Sequence, residues 1–260
     1  MLTERVFQPG LINYEEVAQR YPDARAFSQA TADLWESVLK PFIPLHPHAV
    51  VLDLGCGAGR FSSLIADRFD ATVIGLDASA RMIQAATLAC QSDRVRYSLG
   101  LAEALPLAGH SCDLVLLSQV IHHVSDRDEC ARELRRVIKP AGCVLIRSSF
   151  GDRLDTAPTY FRFFPGARRI VSQFPTVHDV LASFRSAGFH VAGFQTIPQK
   201  VANNLTELAE RTRRRADTTL ILLSDPEYLR CQTALERAAA AERVPEAVIE
   251  YIDLVVLKSA

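Results

Sequence analysis

The stretch Val50-Val51-Leu52-Asp53-Leu54-Gly55-Cys56-Gly57-Ala58-Gly59-Arg60 decides the fold, because an apolar run stops on three alternate glycines and then turns amphipathic. It reads as a strand, a tight turn and a helix start. Glycine tolerates positive φ and lets a ligand approach bare backbone, so Gly55, Gly57 and Gly59 predict a small molecule lying against the turn, with Cys56 beside them. One or two glycines would suit an ordinary strand-to-helix connection; three at alternate positions favour a ligand.

The dinucleotide fingerprint needs its third glycine three places after the second, where this chain has Arg60. A nicotinamide cofactor therefore fits badly, and no Tyr-x-x-x-Lys pair follows the fourth predicted strand. The run Val73-Ile74-Gly75-Leu76-Asp77 reads as the next buried strand, with its carboxylate roughly twenty residues beyond the turn. At that spacing adjacent parallel strands bring an acid to a ribose, so Asp77 is the expected partner of ribose hydroxyls. Asp77 could instead cap the helix starting near Ala80, but Ser79 can serve there.

Composition suits a compact enzyme: 260 residues, 48% hydrophobic, with 29 lysines and arginines against 30 acidic residues, enough to bury a full core without a global field for nucleic acid or anionic membranes. The basic cluster Arg211-Thr212-Arg213-Arg214-Arg215 lies in a predicted helix and reads as a solvated face. Cysteines at 56, 90, 112, 130, 143 and 231 form no CxxC or histidine-rich pattern, so neither a metal site nor a disulfide framework is expected. With no signal core and no long apolar run, a soluble, cytoplasmic protein with reduced thiols is expected.

Strands are predicted at 50–54, 72–76, 95–99, 114–118 and 144–148, alternating with helices near 61–68, 80–89 and 126–138. This is the signature of a doubly wound, mostly parallel α/β sheet. Helices near 14–20 and 28–39 precede it, and strands are expected at 191–197 and 248–257. The chain is expected to form a single domain: a helical cap (1–49), a cofactor-binding core (50–149) and two insertions (150–177 and 199–245). Because ligands in open α/β sheets bind at the carboxyl ends of strands, the first insertion and the N-terminal helices are expected to cover a substrate pocket. The second insertion suits a lid, an extension of the fold or an oligomer contact equally.

The motifs Leu52-Asp53-Leu54-Gly55-Cys56-Gly57-Ala58-Gly59, Gly75-Leu76-Asp77-Ala78-Ser79 with Met82, Ala102-Glu103-Ala104-Leu105-Pro106-Leu107, Asp113-Leu114-Val115 through His122-His123-Val124, and Leu134-Arg135-Arg136-Val137-Ile138-Lys139-Pro140-Ala141-Gly142 follow in order. Over roughly residues 50 to 150 the chain resembles the class I S-adenosylmethionine-dependent methyltransferases. Within them it is similar to the small-molecule group that includes the ubiquinone and menaquinone methyltransferase-like proteins. The resemblance implies a Rossmann-like sheet of seven strands closed by an antiparallel last strand, and S-adenosyl-L-methionine as cofactor.

It also implies roles for individual residues. Asp53 resembles the strand-end acid that organises the turn and reaches the methionine amino group, and Ala78 and Met82 pack near adenine. Ala102 and Glu103 fall on the adenine-edge loop, although Leu101 stands where relatives commonly carry Asp or Asn. Ser118 lies at the end of the fourth strand on the cofactor side. Tyr14, Arg20, Tyr21 and Arg25 could close over the methionine end or form a helix surface.

A sulfonium already makes its methyl group electrophilic, so the protein must mainly align the reactants and exclude water. If the acceptor is a hydroxyl or protonated amine, a general base helps, and His122 and His123 are the candidates, at most one of them facing substrate. Ser118-Gln119-Val120-Ile121 replaces the Asn/Asp-Pro-Pro-aromatic turn of enzymes that methylate nucleobase or glutamine nitrogens. A small-molecule acceptor is therefore favoured over nucleic acid. Phe150, Phe161, Phe163, Phe164 and Phe174 could line an aromatic acceptor pocket or pack the insertion against the core. Binding of S-adenosylmethionine without transfer, as a regulatory or assembly subunit, is the alternative.

Overall fold

The computed structural model describes residues 27–44, 46, 48–154 and 159–259. The helix predicted near 14–20, and with it Tyr14, Arg20, Tyr21 and Arg25, lies outside the described residues. The strands are β1 (Ala49–Leu54), β2 (Ala71–Asp77), β3 (Val95–Leu99), β4 (Cys112–Ser118), β5 (Ile138–Ser148), β6 (Phe189–Ala202) and β7 (Val248–Ser259). The helices are α1 (Gln29–Leu39), α2 (Arg60–Arg68), α3 (Ala80–Ala89), α4 (Arg127–Val137), α5 (Pro165–Val171), α6 (Val177–Ser186), α7 (Leu205–Arg213), α8 (Thr218–Ile221) and α9 (Asp225–Ala241).

One seven-stranded sheet runs in the order β3-β2-β1-β4-β5-β7-β6. The first five strands are parallel, and β7 slots between β5 and β6 antiparallel to both. The central strands are buried on both faces, which is why they read as unbroken apolar runs. Their side chains still alternate: Leu52, Leu54, Val115 and Leu117 pack on α4 and α6, whereas Val51, Leu114 and Leu116 pack on α1 and α2.

Helix boundaries follow local chemistry. Asp126 caps α4 by accepting from the Glu129 N–H, Cys130, Ala131, Leu134 and Val137 form its buried stripe, and Arg135 and Arg136 occupy its last turn. Thr176 and Asp179 form a reciprocal capping box on α6. The strand expected from 144 begins instead at Ile138, directly after α4. Pro140 cannot continue a helix and biases Lys139 toward extended backbone, so the Lys-Pro-Ala-Gly run joins the strand. Likewise β6 runs to Ala202, so the second insertion, expected from 199, starts four residues later at Asn203.

The two insertions meet. Tyr160, Phe161, Phe164, Phe174, Leu208, Leu220, Leu223, Tyr228 and Leu235 share one hydrophobic cluster, separate from the two cores of the sheet. The Tyr160 and Thr219 hydroxyls lie 3.1 Å apart within it, and the Tyr228 hydroxyl donates to the Thr212 carbonyl at 2.9 Å. Together these segments form a cap. Of the five phenylalanines, Phe150 belongs to the sheet core, Phe161, Phe164 and Phe174 to the cap core, and Phe163 packs against the cap. None of the described helices is long and apolar enough to cross a membrane. The described residues hold no cluster of His, Cys, Asp or Glu able to bind a metal ion.

Candidate active site

The chain leaves β1 for β2 and β3, then returns to the other side of β1 as β4. That reversal leaves a crevice at the carboxyl ends of β1 and β4, where open α/β sheets bind ligands. The glycine turn lies there. The Gly55 and Cys56 N–H groups donate to the Leu76 carbonyl at 2.7 and 2.9 Å, and all three glycines have positive φ: 68° at Gly55, 54° at Gly57 and 79° at Gly59. A Cβ at Gly55 would fall 2.4 Å from Val120 Cγ2, and one at Gly59 would fall 2.3 Å from the Tyr97 hydroxyl. Backbone angle and protein packing thus require glycine at 55 and 59 before any ligand is considered.

Two cavities flank the turn and share Gly55, Gly57 and Ser118. One, of about 330 Å³, is walled by Asp77, Ala78, Met82, Ala102, Glu103 and His123. The other, of about 370 Å³, is walled by Asp53, Cys56, Ala58, Arg60 and Phe61. Of the residues expected to bind cofactor, only Gly59 lines neither; it starts α2 and faces Tyr97.

Asp77 Oδ2 accepts from the Gly57 N–H at 2.8 Å and its Oδ1 from the Ser79 N–H at 2.9 Å. Ser79, not Asp77, caps α3, accepting from the Met82 N–H. Glu103 Oε1 accepts from the Ser125 and Asp126 N–H groups at 3.1 and 3.3 Å, so this side chain ties the loop after β3 to the start of α4. Asp53 is buried and accepts from the Ser62 hydroxyl at 2.6 Å. Burial raises its pKa to about 6, opposed by that hydrogen bond and by the Arg60 charge. The Cys56 thiol is pushed far up by burial and stays protonated.

The chain turns sharply after β4. Gln119 takes φ of 60°, its N–H donates to the Arg147 carbonyl at 2.7 Å, and a short 3₁₀ turn over Ile121–His123 follows. The two histidine rings therefore serve different cavities. His123 faces the 330 Å³ cavity, and burial lowers its pKa to about 4. Such a ring is neutral at physiological pH but a weak proton acceptor. His122 is buried, stacks on Phe174 at 4.1 Å with 7° between planes, and lines a third, polar cleft beneath the cap.

Sequence reading missed a group behind this cleft. Arg147 is 3% exposed, lies 4.5 Å from the Trp35 ring centroid, and donates to Ser118 Oγ at 3.3 Å and Gln199 Oε1 at 2.9 Å. Gln199 Oε1 also accepts from the Trp35 indole at 2.7 Å. The signal was a cation directly following the apolar run Val144-Leu145-Ile146, since a buried strand keeps a charge only when the site supplies partners.

The family model described as "Methyltransferase domain" matches residues 52–146. Over 186 residues, 69% of the chain, the protein is 30% identical to a malonyl-[acyl-carrier protein] O-methyltransferase from Marinomonas sp. (strain MWYL1), of which it spans 68%. The chain belongs to the class I S-adenosylmethionine-dependent methyltransferases. A ubiquinone biosynthesis O-methyltransferase from Cereibacter sphaeroides is 33% identical to this methyltransferase over 146 residues, 53% of the chain and 59% of the relative. The chain thus spans about three fifths of that relative's length. A solved structure, a putative methyltransferase from an antibiotic biosynthesis pathway of Anabaena variabilis, superposes with a TM-score of 0.70 at 18% identity. That match covers 91% of the chain and 99% of the other protein, and shows a shared fold.

Proposed function

We propose that the protein transfers a methyl group from S-adenosyl-L-methionine to a small-molecule acceptor, in the cytoplasm. The observation that carries this reading is the pair of cavities joined at Gly55, Gly57 and Ser118 at the switch point of the sheet. Their linings differ as the two ends of that cofactor do. Asp77, Ala78, Met82 and Ala102 offer a carboxylate for ribose hydroxyls beside apolar walls for adenine. Asp53 and Arg60 offer opposite charges on the other side, suited to an amino acid's ammonium and carboxylate. When bound, the sulfonium would supply an electrophilic methyl carbon open to in-line attack by the acceptor's lone pair, with the carbon–sulfur electron pair leaving on sulfur as the neutral thioether.

The protein's share is alignment and exclusion of water. The cap, built from both insertions, is read as a substrate lid over the crevice. For a hydroxyl acceptor His122 is the stronger candidate to take the proton, because it lines the cleft under the cap, whereas His123 lies on the other side with its basicity suppressed. The relatives named malonyl-[acyl-carrier protein] O-methyltransferase and ubiquinone biosynthesis O-methyltransferase support an oxygen acceptor.

Calorimetry with S-adenosylmethionine and S-adenosylhomocysteine, followed by an assay of S-adenosylhomocysteine release over hydroxyl- and carboxyl-bearing metabolites, tests the reading. Binding of both nucleosides and acceptor-dependent release are expected. Absence of binding would sink the proposal; binding without release for any acceptor would favour a regulatory subunit.

A further inference from the structure

Two sequence motifs to which the proposed chemistry gives no part, Ala102–Leu107 after β3 and the second half of α4, meet beside the 330 Å³ cavity. Glu133 Oε2 accepts from the Leu105 N–H at 2.7 Å, and Arg136 Nη2 donates to the Leu105 carbonyl at 3.0 Å. One helix thus holds both main-chain polar groups of a loop residue. Arg136 Nη1 also donates to the Leu107 carbonyl at 2.6 Å, while its Nε and Nη2 donate to the two Glu133 oxygens at 2.6 and 2.7 Å. Such a two-pronged pairing fixes the guanidinium plane, so acceptor and donors are presented to the loop as a rigid pattern.

The rest of the loop docks on the same helix. The His110 and Ser111 N–H groups donate to the Arg136 and Val137 carbonyls, both at 2.9 Å, using last-turn acceptors of α4 that lack a helical partner. Leu105 is 5% exposed and shares the core cluster of Leu134 and Val137. What the docked loop shows the cavity is mostly main chain: Gly100 and Ala102 line it together with Leu101 and Glu103. The shape of this wall is therefore set by where the backbone is held. Three contacts of the Glu133–Arg136 pair go to that backbone, where a pair serving only to stabilise the helix would need none.

We propose that Glu133 and Arg136 are positioning residues for cofactor binding, clamping the loop after β3 onto α4 so that residues 100–103 stand as a preformed wall of the 330 Å³ cavity. The inference rests on the methyl-transfer reading, which makes that cavity the nucleoside's. Neither residue lines the cavity, so both act through Leu105 and Leu107. A wall that is undocked in part of the free molecules must be ordered on binding, and the apparent affinity falls by the docked fraction. The loss is then the same for every ligand that carries the nucleoside.

The test is calorimetry of S-adenosylhomocysteine and 5′-methylthioadenosine, with amide hydrogen exchange, on the full-length wild type, Glu133→Gln, Arg136→Lys and the reversed pair Glu133→Arg/Arg136→Glu. Each variant is expected to weaken both nucleosides by one common factor of about three- to tenfold. Exchange at Leu105 should quicken, while amides of β1 and β4 keep wild-type rates and report an intact fold. The reversed pair keeps opposite charges three residues apart on α4 but sets a donor against the Leu105 N–H. A helix-stabilising pair would be rescued by that reversal, and a clamp would not. Wild-type affinity in the reversed pair, a loss for S-adenosylhomocysteine alone, or unchanged exchange at Leu105 overturns the proposal. Failure of wild type to bind either nucleoside would strike the methyl-transfer reading itself, whereas wild-type binding with unaltered variants strikes only the clamp.

Discussion

The Oδ2 of Asp77 and the amide nitrogen of Gly57 lie 2.8 Å apart, so the carboxylate that ends β2 holds the middle of the glycine turn that ends β1. Its other oxygen takes the Ser79 N–H at the entry of α3. One side chain therefore sets two of the backbone segments that wall the 330 Å³ cavity.

Removing that carboxylate should affect binding and turn geometry together. Asp77→Ala is expected to weaken S-adenosylhomocysteine by about 1–3 kcal/mol, with Asp77→Asn intermediate because an amide retains one acceptor oxygen. Isothermal titration checks this, and an unchanged dissociation constant would remove Asp77 from the site.

The alternate glycines should separate by phenotype. Gly59→Ala places a methyl group in left-handed backbone against Tyr97 and is expected to lower stability by about 1–3 kcal/mol, read as the urea midpoint. A double-mutant cycle with Tyr97→Ala should show coupling. Gly57→Val lies at the shared wall of both cavities and should abolish nucleoside binding. Tight binding by that variant would show that the turn does not face the cofactor.

Asp53 should trade stability for binding. Its folded pKa of about 6 lies above the ordinary 3.8, so the folded state holds a proton that the unfolded state has released. Its contribution is complete below pH 4 and is lost as pH rises through 6, a difference of about 3 kcal/mol. Asp53→Asn should raise the melting temperature of the ligand-free protein at pH 7 and flatten this part of its pH profile, while weakening the cofactor. A neutral-pH melting temperature below wild type would refute the account.

His123 acts in the opposite sense. Its pKa falls from 6.5 to about 4 on folding, so the unfolded chain binds more protons in that window, and stability present above pH 6.5 is lost as pH drops toward 4. His123→Gln should shallow this acid limb and leave the pH dependence of kcat unchanged. His122→Gln should lower kcat with a changed pH profile if the acceptor is a hydroxyl. The reverse pattern would exchange the roles of the two rings.

The alternating core was legible because its determinants are local. Apolar runs, glycines demanding positive φ, and the caps Ser28, Ser79 and Asp126 each act within a few residues, and the spacing from Gly57 to Asp77 reports a parallel neighbour. The same locality hid why Gly55 and Gly59 are glycines, since Val120 and Tyr97 reach them from other strands and loops.

The sequence by itself determined the class of sheet, the turn at residues 55–59 and the acid at 77, because backbone sterics and hydrophobic periodicity operate at short range. Tertiary structure alone decided that two insertions 59 residues apart at Tyr160 and Thr219 build one cap, that Arg211 turns inward from a basic run, and that Trp35, Arg147 and Gln199 share one hydrogen-bonded, cation–π cluster. These contacts depend on β7 threading between β5 and β6, which carries distant segments over the same crevice, and no periodicity in a single segment encodes such a meeting.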